Sequence, residues 1–240
     1  MGLVGRRCPT SRLIATAPKQ GQTSAMRRSQ VLLTATIAFG VLYAAGAAAL
    51  GTPPEVGDSG TEVAAWFQAH GDDVRLWMWT GALALMAFGV FATLVRTHLP
   101  PLHRDLFTLG AIAFMAETAV QGWFWLGLAL HGADLDPATA RTLLDIAIYW
   151  GPVLTTTTVF TLAPIAILGL RREPPIPFWL GVLSGIALVE QLLETVTILG
   201  RSGFTAPGGP MNLLLGAGLT AISWLSLGVV LSRRPDPVLT

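Results

Sequence analysis

Apolar residues dominate the chain in six long runs, at 31–50, 76–95, 106–130, 143–170, 177–199 and 211–231, separated by short polar stretches. Each run is near the roughly 20 residues a helix needs to cross the hydrocarbon of a bilayer. No alternating barrel pattern is present, and in lipid the backbone must bond within its own segment, so the runs are expected to be helices. The pattern therefore predicts an all-α, polytopic membrane protein with six transmembrane helices. The fourth run contains Gly151-Pro152, four consecutive Thr at 155–158 and Pro164, which predicts kinks. Between the first two runs, Ser59 and Glu62 have capping-box spacing. Val63, Trp66 and Phe67 follow on one face, then Gly71 as a stop signal. A short amphipathic helix over 61–70, lying on the outer interface as an anchor or a lid, is the expectation.

Three regions follow: a basic tail at 1–30, expected to be disordered; a six-helix bundle at 31–231; and a short tail at 232–240. The tail carries Arg6, Arg7, Arg12, Lys19, Arg27 and Arg28 and no acid. It lacks the apolar residues to build a core. The first apolar run is too long for the h-region of a cleaved signal.

Composition agrees with the pattern: 52% of the 240 residues are hydrophobic and 12% charged, outside the range of soluble domains. The net charge of +1 conceals an asymmetry. With the N-terminus inside, the tail, Arg96, Arg104, Arg171, Arg172, Arg233 and Arg234 place twelve of the fifteen Lys and Arg on the inner side. Glu55, Asp58, Glu62, Asp72, Asp73, Asp134 and Asp136 all fall outside. The positive-inside rule then puts both termini in the cytoplasm. No basic face is available for nucleic acid. The single Cys8 excludes an intramolecular disulfide and a CxxC centre. His70, His98, His103 and His131 lie outside the runs or at their ends, so no haem or metal ligand set is read and no cofactor is expected.

The chemical anomaly is acid within the apolar runs. Glu190 and Glu194 stand one helical turn apart in the fifth run, and Glu117 lies in the middle of the third. Intramembrane carboxylates are costly and mark functional sites. No Lys or Arg lies in these runs, and desolvation disfavours the charged form, so at least one of the three is expected to be neutral. Spacing of i, i+4 aligns Glu190 with Glu194, Glu117 with Gln121, and Asp145 with Tyr149, while Gln191 adjoins Glu190. If these faces converge, they line one polar site that opens outward. Trp123, Tyr149 and Trp150 would form aromatic walls, although an interfacial belt accounts for the same tryptophans. The glycine-rich stretch 200–212 lacks the Lys of a phosphate loop. It reads as a tight re-entrant turn, with Asn212 capping the sixth helix.

Glu194, the 200–212 turn and the stretch 216–224 resemble a group of small six-helix membrane proteins of high-GC bacteria. The likeness spans residues 28–235 and implies a multi-pass protein of the bacterial cytoplasmic membrane without fixing an activity. In size and layout the chain is more distantly similar to membrane-bound terpene cyclases, which use intramembrane acids on prenylated substrates.

Three functions fit these acids. In a cyclase or isomerase of a lipophilic isoprenoid, Glu117, Glu190 or Glu194 would donate a proton, and another of them or Asp145 would accept one. In a proton-coupled transporter, an organic cation and a proton would compete for one carboxylate. Six helices without an internal repeat would then call for a homo-oligomer. In an accessory subunit, the acids would only join helices. Membrane lipids are the expected surroundings in every case.

Overall fold

The computed structural model describes residues 20–132, 134–173 and 175–234, without the side chains of 20–26, 150, 152 and 154. The described chain is helical: α1 Gln20–Leu50, α2 Gly60–Val95, α3 Pro101–His131, α4 Pro137–Leu170, α5 Phe178–Glu194 and α6 Ala217–Ser232. A 3-10 turn at Thr195–Leu199 extends α5, and a π-helical turn at Met211–Gly216 leads into α6. Four helical stretches are long and apolar enough to cross a membrane: Arg27–Leu50, Gly60–His98, Phe178–Leu199 and Met211–Ser232. The protein is thus an all-α, multi-pass membrane protein. α3 and α4 are rods of 31 and 34 residues, the first carrying Glu117 and Gln121 in its middle.

α1 packs against α2 and α6, while α4 lies between α3 and α5. Ser29 Oγ of α1 donates to the Ser232 carbonyl of α6, so the chain enters and leaves the bundle at one face. Towards that face Phe39, Phe88, Phe114 and Trp224 bring four helices together. The Trp224 ring lies 4.7 Å from Phe88 and meets Phe114 edge-on at 4.9 Å. Close crossing of α4 and α5 depends on two glycines, since a Cβ on Gly169 would fall 2.5 Å from the Gly181 Cα. Ile37, Met86, Ile112, Leu193 and Leu214 are exposed on the flanks, where an apolar surface suits lipid rather than water.

The capping box at the start of α2 is present. Glu62 N–H donates to Ser59 Oγ at 3.3 Å, and Ser59 N–H to Glu62 Oε2 at 2.7 Å. The expected stop at Gly71 is absent. The helix bends at His70 (φ −116°, ψ 16°) and continues into the apolar run. Val63 and Phe67 are buried among Trp125, Leu128, Ala140 and Leu144, so the segment closes the face opposite the termini. Two further boundaries differ from the reading by pattern. α1 begins at Gln20 and takes in residues 20–30 of the basic tail. α5 leaves α-helical geometry after Glu194 rather than running on as one α-helix. α4 stays helical through Gly151, Pro152 and Pro164.

Candidate functional site

α5 places Glu190, Gln191 and Glu194 on its buried side, facing α4 and the π-helical turn. They are 9%, 3% and 4% exposed, so the cluster is enclosed rather than open. Gln191 organises it. Its Nε2 donates to Glu194 Oε2 at 2.6 Å and to Glu190 Oε2 at 3.0 Å. Its Oε1 accepts from the Thr158 hydroxyl of α4. The second oxygen of Glu194 accepts from Asn212 Nδ2, which also lies 3.4 Å from Thr197 Oγ1. Asn212 Oδ1 in turn accepts from Gly208 N–H at 2.9 Å. Asn212 therefore does not cap the sixth helix as the sequence suggests. No side chain caps the π-helical turn, and the Asn212 amide instead ties the 200–212 turn to Glu194. Gly216, four residues on and on the same face, makes room for the acid, because a Cβ there would lie 2.0 Å from Glu194 Oε2. π-helical turns recur at functional sites, where they re-aim side chains.

Glu117 stands apart from this cluster. Together with Gln121 and Tyr149 it supplies the polar groups of a groove of about 450 Å³ between α3 and α4, otherwise lined by Ala116, Val120, Phe124, Ile146 and Val153. Val120, Ile146 and Val153 are exposed, so the groove opens sideways on the flank of the bundle. Thr157 Oγ1 donates to Glu117 Oε2 at 3.4 Å, and Gln121 Nε2 to the Ala147 carbonyl at 3.2 Å. The polar faces expected to converge thus form two sites, one on either side of α4.

The other candidates lie elsewhere. Asp145 is held by Arg141, with Nη2 2.7 Å from Oδ1. The same guanidinium donates to the carbonyls of Glu55, Val56 and Asp58 in the loop before α2. The i, i+4 rule that aligns Asp145 with Tyr149 also aligns it with Arg141, and it is the Arg141 pairing that forms. Trp123 is 69% exposed and does not line the groove, where the neighbouring Phe124 takes that place. The Trp150 side chain is outside the described residues. Trp77 and Trp125 pack edge-on at 5.0 Å as part of the core. Thr158, Asn212 and Gly216 belong to the α5 cluster although no local pattern in the sequence marks them as site residues. Among the described residues, no three His, Cys, Asp or Glu are grouped to hold a metal ion. No protein-family model matches the chain, and no curated protein or solved structure is significantly similar to it.

Proposed function

We propose that the protein is a six-span protein of the bacterial cytoplasmic membrane, with both termini inside, that isomerises or cyclises a lipophilic isoprenoid by acid catalysis at Glu117. One observation carries this reading: a carboxyl group at an apolar groove that opens towards lipid, where a prenyl chain would enter. α3 and α4 complete the six spans, and the charge asymmetry orients them.

In this mechanism the neutral Glu117 carboxyl transfers its proton to one carbon of a substrate alkene. The alkene π pair forms the new C–H bond and leaves a cation on the adjacent carbon. A second alkene of the same chain closes the ring with its own π pair. Loss of a proton from a neighbouring carbon to the Glu117 carboxylate restores both an alkene and the acid. Product and substrate are isomers, and no co-reactant is consumed. The Phe124 and Tyr149 rings beside Glu117 suit a cationic intermediate, with a cation–π attraction of about 2 kcal/mol when desolvated. Asp145, bound to Arg141, is not the terminal base in this scheme. The test is incubation of membranes with linear prenylated substrates. A product of unchanged mass should form with the native chain and not with Glu117→Gln. Equal product profiles in the two would refute the proposal.

The same acid beside two aromatic rings also favours a second reading, exchange of a proton for a small organic cation. Proton flux in liposomes driven by such cations, with no isomer formed, would select it.

A further inference from the structure

We propose that Glu190 and Glu194 form a proton-binding site of their own, distinct from the groove acid, in which the pair holds one proton on Glu190 Oε1. The carboxylates offer four oxygens. Three of them accept amide N–H bonds, both oxygens of Glu194 and Oε2 of Glu190. The fourth, Glu190 Oε1, is buried and has no partner among the described residues. Amide donors aimed at both carboxylates suit an ionised group. They also put N–H where a metal ion would need oxygen ligands.

Two full negative charges in this enclosure would go uncompensated. α6 carries no ionisable residue within Ala217–Ser232, and α5 carries only the pair itself. From α4, Arg141 and Asp145 neutralise each other near the start of the helix, Tyr149 lines the groove, and Thr158 is what touches the cluster. Glu117 of α3 bonds Thr157 on the other site. The 3-10 and π-helical turns present Thr197, Asn212 and Gly216. An uncompensated buried charge is strongly unfavourable, and one bound proton reduces the pair from two charges to one.

A second observation accompanies the free Glu190 oxygen. Gly216 abuts Glu194, and α6 returns antiparallel to α5, so one turn forward from Gly216 and one turn back from Glu194 bring Thr220 and Glu190 to the same depth. Thr220 is 4% exposed, and its hydroxyl has no partner among the described residues. It is a second buried, unpartnered polar group at that depth.

Infrared spectroscopy of the full chain in nanodiscs tests this without reference to the groove. In the Glu117→Gln variant at pH 7, the carbonyl-stretch band of a protonated carboxylic acid should persist and move on transfer to D2O. It should also move on ¹³C-labelling of the glutamates. The remaining Glu55, Glu62 and Glu173 are exposed to solvent, so a band from an enclosed glutamate belongs to the α5 pair. Adding Glu190→Gln to that variant should abolish the band. If the double variant does not fold, the labelled single variant still decides. No labelled band at pH 7, or a band lost when Na+ replaces K+, would overturn the proposal, the latter by showing a metal-cation site instead.

Discussion

Thr157 and Thr158, neighbours on α4, serve different acids: the Thr157 hydroxyl donates to Glu117, and the Thr158 hydroxyl donates to the Gln191 amide that bridges Glu190 and Glu194. Consecutive helix positions point about 100° apart, so one helix can divide two polar sites. Thr158→Val would leave a buried amide oxygen without its donor, at a cost of about 1–3 kcal/mol. Thermal unfolding in detergent should show a clear loss of stability. Thr157→Val should act mainly on chemistry at Glu117, whose Oε2 its hydroxyl reaches at 3.4 Å.

Gly216→Ala should destabilise the protein by displacing the α5 cluster. The new Cβ would stand 2.0 Å from Glu194 Oε2 and 2.9 Å from Gln191 Nε2, so the bridge must move. Overpacking of this kind costs about 1–3 kcal/mol. Gly218→Ala meets nothing within 4 Å and should be neutral or stabilising, because alanine favours helix. Unfolding temperatures of the two variants check the contrast.

Arg141→Gln should release the loop before α2 while leaving the α5 cluster intact. The guanidinium holds three loop carbonyls and Asp145, but the pair is partly exposed, so the loss is set at about 1 kcal/mol. Hydrogen exchange should rise in 51–59 and stay unchanged in 186–194. Ser59→Ala, which removes the cap of α2, should cost about 1 kcal/mol and raise exchange in 60–70.

Ala116→Trp should fill the groove beside Glu117 without disturbing the fold, since Ala116 is exposed on α3. Binding of a prenylated probe, followed by fluorescence or by product formation, should be lost while the unfolding temperature is held. Retained binding would place the ligand elsewhere.

Much of the fold was legible because its causes are local. The apolar runs mark the rods, and the Ser59–Glu62 box marks the start of α2 at a separation of three residues. Glu190 and Glu194 share a face because i and i+4 always do in a helix. Arg141–Asp145 follows the same rule, which aligns Asp145 equally with Tyr149. The stop at Gly71 failed for a tertiary reason. A Cβ on Gly71 would lie 3.0 Å from the Ala129 carbonyl, and the glycine lets α2 pass close to α3 instead of ending there.

By itself, the sequence determined the helical, membrane-embedded character of the protein, the positions of its acids and the lack of a basic partner within their runs. These follow from hydropathy and helical period, which act over a few residues. Only the tertiary structure decided that the acids form two sites, that Asn212 reaches Glu194 across 18 residues, and that Thr158 reaches Gln191 across 33. A buried amide or carboxyl must find its partner wherever packing brings one, and no periodicity encodes which helix that will be.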